Sequence, residues 1–390
     1  MGAFDLESPN WGRIPPVKVT GAPSSGVDGE IIFPTDAGPL RVSMLDCGAR
    51  LRLGPDGRDY GILLKDPPAL AVRVEALDGA TRLVAGDRVL EVGHEPLSFS
   101  LAVAGRNVQS SPTDSHFVRR FRLPPFARIG DSWFASVELG HDTPVYGLGE
   151  KWGRLDRRGQ LVRSFNHDAL GVNAEVSYKN APFCWSPEGW GVFVHTVAPV
   201  THGVGYAPWS QRAYGLKVDG PSLDLFLLDG TSGAQLISQY TALTGRASVP
   251  PFWSLGLILS KAYYRTADEI LSVAREVRRR RMPCDTITFD GRAWQDTDTR
   301  FAFEWDPSRY PDPRPVVEQL KALDFRICVW EYPLVSVRNR LFDELAAKGW
   351  LLKDARNGEA YRYQWDMEPF GPVLTPLPES GLLDFTHPEA

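Results

Sequence analysis

The sequence predicts a multidomain protein of the β plus α/β class, in which an antiparallel β-sandwich precedes a parallel α/β segment. Residues 28–248 consist of short runs of alternating apolar and polar residues separated by Gly, Pro and Asp, a pattern typical of antiparallel strands. After Val249-Pro250-Pro251, where the double proline stops any preceding element, apolar strands and amphipathic helices alternate. This alternation predicts right-handed βαβ units and a parallel sheet.

The strands of the first segment follow from period-two alternation. Residues 72–76 alternate, the tight-turn dipeptide Asp78-Gly79 follows, and the alternation resumes at residues 83–84. In residues 132–139 the apolar side chains likewise fall on one strand face and most polar ones on the other. Many short strands of this kind favour a sandwich.

The second segment contains three predicted strand and helix pairs. Thr266 is predicted to cap the first helix with Glu269 completing a capping box, Asp312-Pro313 to begin the second, and Gly349 to end the third. The predicted strands are residues 255–260, 286–290 and 325–330, and the helical stripes are Ile270, Ala274 and Val277, then Val316, Val317, Leu320 and Leu323, then Leu341 and Leu345. The first strand is almost continuously apolar, which predicts cover on both faces.

Composition excludes several classes of protein. The 390 residues are 43% hydrophobic and carry a net charge of -5, which gives no general attraction to nucleic acid or to an anionic membrane. The four Cys and seven His residues have no metal-like spacing, so no metal site and no cofactor are predicted. We expect no nucleic-acid partner, no membrane partner and a cytoplasmic location.

Candidate binding residues lie at the carboxyl ends of the predicted parallel strands, where the chemistry of α/β sheets and of (β/α)8 barrels collects. Asp290 ends the second strand and Trp294 follows it, so a carboxylate could hold a sugar hydroxyl while an indole packs against a sugar ring. An Asp that caps the next loop or helix is an equal alternative. Trp330 and Glu331 end the third strand, and a core Trp beside an exposed acid is again an alternative.

A set of motifs, taken in order, resembles glycoside hydrolase family 31 from about residue 140 to the last residue. Residues 28–140 fit the β-sandwich of that family only by type. The motifs are Tyr146-Gly147-Leu148-Gly149-Glu150, Phe165-Asn166-His167-Asp168, Tyr178-Lys179-Asn180-Ala181-Pro182-Phe183, the block from Thr244 to Gly256, Phe303-Glu304-Trp305-Asp306-Pro307, Pro311-Asp312-Pro313, Ile327-Cys328-Val329-Trp330 and Asp384-Phe385-Thr386-His387-Pro388.

The resemblance implies a retaining α-glycosidase with a galactose-mutarotase-like β-sandwich that leads into a (β/α)8 TIM barrel. It implies that Asp290 binds hydroxyls of the sugar in the −1 subsite and that Tyr263 and Trp330 line this subsite. Asp168 matches an Asp on a sandwich loop that contributes to the substrate pocket. The implied substrate is an oligosaccharide or small α-glycoside with a terminal non-reducing α-linked xylose or glucose.

Within the family, the motif that begins at Tyr178 is most similar to the α-xylosidase branch. This sequence departs from that branch at Gly291-Arg292, where a small thiol residue and an aromatic are common. The departure leaves the choice between xylose and glucose open. As a hypothesis, the Arg292 guanidinium forms a pocket wall that pairs with an acidic or sulfonated sugar.

Retention requires two carboxyl groups about 5 to 5.5 Å apart. In the family these are an Asp in a Lys-x-Asp context on the fourth barrel strand and a later Asp, and neither has a matching position here. We therefore expect both beyond Ala390, with the 390 residues inactive alone.

The predicted domains are an N-terminal extension at residues 1–27, the sandwich at 28–249 and about three strand-helix units of a truncated barrel at 250–390. A homo-oligomer of the full-length protein is left open. The alternative is a non-catalytic carbohydrate-binding or structural protein.

Overall fold

A computed structural model describes residues 14–55, 60–112, 123–167, 177–296, 303–364 and 377–390. The chain divides into two compact units, Met1–Ala247 and Ser248–Ala390. Each unit has its own hydrophobic core.

The described residues of the first unit form antiparallel strands and one α-helix. Its helix is Gly233–Thr244 (α1), and a single turn of 3-10 helix lies at Val27–Gly29. The strands are Ser24–Ser25 (β1), Ile31–Phe33 (β2), Leu40–Leu45 (β3), Gly48–Leu53 (β4), Arg73–Leu77 (β5), Ala80–Ala85 (β6), Arg88–His94 (β7), Leu97–Val103 (β8), Arg106–Ser110 (β9), Phe126–Ile129 (β10), Ser132–Glu138 (β11), Tyr146–Gly147 (β12), Gln160–Ser164 (β13), Phe183–Ser186 (β14), Trp190–Val194 (β15), Val200–Val204 (β16), Ala213–Val218 (β17) and Leu223–Asp229 (β18).

These strands form three sheets. The largest has the order β1-β2-β3-β4-β18-β15-β14-β12, and two five-stranded sheets have the orders β10-β11-β17-β16-β13 and β5-β6-β7-β8-β9. One continuous core of buried residues connects them and includes Phe33, Leu90, Trp133 and Leu225. The antiparallel sheets confirm the class of fold predicted for this segment, and residues 73–77 and 132–138 are strands as the alternation predicted.

Helix α1 is an element that the sequence analysis did not predict. Ser232 caps it by accepting a hydrogen bond from the Gln235 amide at 3.2 Å, and Gly245 ends it at a φ of 107°. Leu236 of the helix packs with Phe226 of β18 in a second apolar cluster. Strand β18 is buried at every position, because the main core covers one face and this cluster covers the other.

The second unit begins with a parallel sheet of the order β19-β20-β21. A turn of 3-10 helix at Phe252–Leu255 precedes the strands Ile258–Lys261 (β19), Thr286–Phe289 (β20) and Arg326–Val329 (β21). The helices are Ala267–Arg279 (α2), Gly291–Trp294 (α3), Arg314–Ala322 (α4) and Arg340–Lys348 (α5). Helices α2 and α4 supply the crossovers, so the predicted strand and helix order is confirmed.

Two of the three predicted helix ends agree with the observed ones, whereas α4 begins at Arg314 with Pro313 in the cap position, one residue later than predicted. The Thr266 side chain accepts a hydrogen bond from the Glu269 amide at 3.2 Å, while the Glu269 carboxylate accepts one from the Arg265 amide at 2.7 Å. The reciprocal bond of the capping box thus involves the residue before the cap. Gly349 follows α5 in the left-handed conformation at a φ of 71°, as predicted.

The first parallel strand differs from its prediction. It begins three residues later than residue 255, because the turn that follows the double proline includes Leu255. Apolar side chains of α2 and α4 pack with Ile287 and Phe289 on one face of the sheet, whereas Ile258 remains 47% exposed. Cover on both faces is therefore not observed for β19.

After β21 the chain forms a small antiparallel sheet of the order β22-β24-β23. Its strands are Leu334–Ser336 (β22), Arg362–Tyr363 (β23) and Ser380–Leu382 (β24). Val335 of this sheet packs with Phe342 and Leu345 of α5 in a separate apolar cluster.

Candidate functional site

Three loops leave the same edge of the parallel sheet, at the carboxyl ends of β19, β20 and β21. The first carries Tyr263, the second Asp290 and the third Trp330. The sheet therefore brings together at one edge three of the residues that the sequence predicted to bind sugar.

Asp290 caps the short helix α3. Its Oδ1 accepts a hydrogen bond from the Gly291 amide at 2.8 Å, which is the capping alternative considered from sequence. A carboxylate has about four lone-pair sites, so this single bond leaves acceptor capacity for sugar hydroxyls. The cap fixes the carboxylate at the strand end, where a ligand would meet it.

Gly291 makes room for Trp330. A Cβ atom at position 291 would lie 2.4 Å from Cζ3 of Trp330, closer than any real contact. The Trp330 ring therefore lies against the backbone of the second loop, and its amide donates to the Phe289 carbonyl at 2.8 Å. The glycine by which the sequence departs from the α-xylosidase pattern is thus a packing partner of Trp330.

Trp294 lies in the hydrophobic core, where only 5% of its surface is exposed. Its ring packs edge-on against Trp305 with the centroids 5.4 Å apart, and its Nε1 donates to the Trp330 carbonyl at 3.0 Å. This burial leaves little ring face for the sugar contact predicted from sequence. Trp294 holds the third loop through this hydrogen bond, and its contact with a sugar stays a prediction.

Arg309 connects the first and second loops and is a residue that the sequence analysis missed. Its guanidinium donates to the carbonyl of Tyr264 at 2.8 Å, to that of Arg292 at 2.8 Å and to that of Gln295. Its Nε donates to Asp306 at 2.6 Å. The signal that could have found it is the i,i+3 spacing of Asp306 and Arg309 beside a family motif.

Asp306 is held as a carboxylate. Burial by itself would raise its pKa, but hydrogen bonds from Ser308 and Arg309 outweigh burial, so the pKa of Asp306 lies below its usual range. The same Arg309 guanidinium lies 5.2 Å from the centroid of the Tyr263 ring. The ion pair thus orients the guanidinium beneath an aromatic residue of the predicted subsite.

Tyr263 is the most accessible of the predicted residues that the structure describes. Tyr263 is 42% exposed and borders an open depression of about 450 Å³, which Lys261, Arg265 and Glu269 also line. Arg292 is half-buried in α3. Their roles toward a sugar stay predictions, and Asp168 lies outside the described residues.

Glu331 is half-buried, which differs from the exposed acid considered as an alternative. Its two carboxylate oxygens accept hydrogen bonds from the Tyr332 amide at 3.1 Å and from the side-chain amide of the buried Gln295. Burial raises the pKa of Glu331 to about 7 and outweighs these two hydrogen bonds, which lower it. The third loop therefore carries a carboxyl group that titrates near neutral pH.

We expect Glu331→Gln to remove a loss of stability that wild type shows as the pH rises. Because the pKa of Glu331 rises from 4.5 to about 7 on folding, the protonated side chain favours the folded state. Its contribution to the free energy of unfolding is complete below pH 4.5 and is lost as the pH rises through about 7. The free energy of unfolding of the variant, measured by urea unfolding, should therefore rise relative to that of wild type by about 2 to 3 kcal/mol from about pH 5 to about pH 8. Glu344→Gln, in an exposed pair with Lys348, is the control. A wild-type to variant difference that is independent of pH would contradict the prediction.

No group of side chains suited to a metal ion occurs among the described residues. In the same part of the chain no helix is long and apolar enough to cross a membrane.

Comparison with known families matches both units. Residues 39–202 match the glycosyl hydrolase 31 N-terminal galactose mutarotase-like domain, and residues 247–390 match the glycosyl hydrolases family 31 TIM-barrel domain. A sandwich that precedes parallel βα units with a carboxylate and aromatics at the strand ends agrees with both matches. The chain belongs to glycoside hydrolase family 31.

Curated proteins with similar sequences include α-xylosidases and α-glucosidases. The α-xylosidase XylQ of Lactiplantibacillus pentosus is 31% identical over 256 residues, which are 65% of this chain and 32% of the relative. The neutral α-glucosidase AB of Homo sapiens is 34% identical over 141 residues, which are 36% of this chain and 14% of the relative. The chain spans about a third of the length of the first relatives that it matches.

Solved structures share the fold. A family 31 dextranase of Flavobacterium johnsoniae, complexed with isomaltotriose, superposes with a TM-score of 0.79 at 23% identity, over 95% of this chain and 44% of that one. A family 31 α-xylosidase from a soil metagenome, complexed with xylose, gives a TM-score of 0.71 at 22% identity, over 95% of this chain and 54% of that one.

Proposed function

We propose that the protein acts as a retaining α-glycoside hydrolase that removes terminal non-reducing α-linked xylose or glucose. The observation that carries the proposal is the placement of Tyr263, Asp290 and Trp330 after three consecutive parallel strands of a family 31 barrel domain. The α-xylosidases and α-glucosidases among its relatives support the substrate class.

In the proposed site, Asp290 accepts hydrogen bonds from sugar hydroxyls. A carboxylate that its own loop amide already orients loses little freedom when it binds, so each bond contributes more to binding. Trp330 supplies an aromatic wall, and its ring is held against Gly291.

The two catalytic carboxyl groups are proposed to lie in sequence beyond Ala390. The length of the relatives, about three times that of the aligned region, supports this assignment. One of these groups would attack the anomeric carbon while the other protonates the leaving oxygen, and water would then release the sugar with its configuration retained.

The test compares the 390-residue chain with the same chain continued through its source reading frame. We expect the longer protein to hydrolyse 4-nitrophenyl α-xyloside or α-glucoside, with the α-anomer formed first, and the 390 residues to be inactive. Asp290→Asn should lower kcat/KM by about 100-fold or more, because a charged hydrogen-bond acceptor for the sugar is lost. The matched control is Asp268→Asn, on the exposed side of α2.

Activity within twofold of wild type for Asp290→Asn would contradict the assigned role. Sugar binding without hydrolysis in the longer protein would favour the non-catalytic alternative. The same assay with a 4-nitrophenyl α-glucuronide tests Arg292, because Arg292→Ala should lower the relative rate on the anionic sugar if the guanidinium pairs with it.

A further inference from the structure

We propose that Glu331 is a positioning residue, which joins the third loop of the candidate site to the second loop and so holds the Trp330 ring in place. Its carboxylate accepts a hydrogen bond from the side-chain amide of Gln295, a residue of the second loop. The inference deepens the proposed function and rests on it only where Trp330 is to meet a sugar. The contact between the two loops can be tested without hydrolysis.

Gln295 gives Glu331 a fixed partner. Gln295 is only 1% exposed, its backbone amide donates to the Gly291 carbonyl at 3.1 Å, and its carbonyl accepts a hydrogen bond from Arg309. Because the backbone of Gln295 is bonded and its side chain is buried, that side chain has little freedom to follow a moving third loop. A displacement of Glu331 would therefore break their hydrogen bond and take an acceptor away from a buried amide.

Trp330 is the neighbour whose position Glu331 fixes. The Trp330 ring lies against Gly291 at the start of α3, and its carbonyl accepts a hydrogen bond from Trp294 Nε1 at 3.0 Å. The bond to Glu331 adds a contact at the residue that ends α3. Two adjacent residues of the third loop thus contact both ends of the same short helix. We call the third loop closed when both residues make these contacts, and it opens only if both lose them.

Burial makes the closed state sensitive to pH. Glu331 is half-buried, and burial raises its pKa to about 7 in the closed loop. An opening that exposes the carboxyl group returns its pKa toward 4.5, so opening releases a proton and becomes easier as the pH rises. From about pH 5 to about pH 8 the ratio of open to closed loop should therefore rise about 50- to 100-fold.

Charged neighbours do not account for this pH dependence. The other charged or titratable side chains of the segments that meet here are Asp290, Arg292, Asp296, Asp306, Arg309 and Tyr332. The pKa of Glu331 is raised by burial and lowered by two hydrogen bonds, without a contribution from a charge among the described residues. Glu331 is therefore the group whose ionisation weakens the closed state.

The experiment measures amide hydrogen exchange of the 390-residue chain by NMR. In wild type the protection factor of the Trp330 amide, which donates to the Phe289 carbonyl, should fall about 50- to 100-fold from about pH 5 to about pH 8. Glu331→Gln cannot ionise and should change less than about threefold over this range. Glu331→Leu should lose about fivefold at about pH 5, because leucine cannot accept the hydrogen bond. Glu344→Gln, in an exposed ion pair, is the matched control and should behave as wild type.

Urea separates opening of the third loop from unfolding of the whole unit. Opening of a short loop exposes little surface, so low concentrations of urea should barely change exchange at Trp330. Exchange at Ile287, buried in the central strand β20, should accelerate. The inference is overturned if the two amides respond to urea alike, or if wild type and Glu331→Gln have the same pH dependence at Trp330.

A sugar tests the link between this contact and the proposed function. In the longer protein at about pH 8, xylose or glucose at about ten times its dissociation constant should raise the protection of the Trp330 amide about tenfold, because it binds the closed loop. Hydrolysis without this effect of the sugar would overturn the positioning role toward the substrate. A longer protein that neither binds nor hydrolyses a sugar would contradict the proposed function, whereas the exchange results for the 390 residues decide the contact of Glu331 independently.

Discussion

Replacing Arg309 by alanine is expected to lower the free energy of unfolding of the second unit by about 3 to 5 kcal/mol. The side chain of Arg309 is only 10% exposed and is paired with the equally buried Asp306. Alanine would leave that carboxylate buried without its cation. It would also remove the donor to the carbonyl groups of Tyr264 and Arg292. A buried carbonyl group without a hydrogen-bond donor costs free energy.

Arg309→Lys should recover only part of this loss, because a single ammonium has three hydrogens and cannot span the planar set of acceptors. Amide hydrogen exchange at residues of the second unit in increasing urea measures the change. The control is Arg314→Ala, whose exposed pair with Asp312 should be worth less than about 1 kcal/mol. Similar small losses for Arg309→Ala and Arg314→Ala would refute the assignment of Arg309 as the connection between the two loops.

Asp224→Asn is expected to destabilise the first unit by about 3 to 5 kcal/mol. The buried Asp224 carboxylate accepts from Arg50 at 2.8 and 2.6 Å and lies 2.8 Å from His195 Nδ1. Burial would raise the pKa of Asp224, but the hydrogen bonds from Arg50 and His195 outweigh it and lower the pKa. The stabilisation is therefore present at neutral pH and is lost as the pH falls.

Asparagine keeps the shape of the side chain and removes its charge, so among the described residues Arg50 would keep only the exposed Asp66 as a charged partner. The matched control is Glu91→Gln, which breaks a partly exposed ion pair with Arg82 and should cost less than about 1 kcal/mol. Chemical unfolding followed by near-ultraviolet circular dichroism gives both values. Equal effects of the two substitutions would rule out a special contribution from the buried network.

Local signals predicted the elements that carry the site. The Thr266 cap, the glycine after α5 and the strands that end before Asp290 and Trp330 were all readable, because capping and strand periodicity depend on residues close together in the chain. The sequence analysis missed helix α1 because the residues on both sides of it have the pattern of β-strands. The helix packs on the face of β18 that the main core leaves uncovered.

Site details that depend on distant contacts were not readable. Trp294 is of a residue type that can stack on sugars, yet it is buried against Trp305. Gly291 reads as a departure from a family motif, and only the position of the Trp330 ring explains why a side chain is excluded there. Glu331 titrates near neutral pH because of what buries it, which its position in the sequence does not indicate.

By itself, the sequence determined the class of fold, the order of the elements and the family, because short-range patterns and the order of motifs can be recognised without knowing which side chains pack together. The tertiary structure decided which predicted side chains reach the surface, that Arg309 connects two loops, and that Glu331 lies half-buried against Gln295. The physical reason is that burial, hydrogen-bond partners and pKa depend on residues that are far apart in the chain and adjacent only in the folded protein.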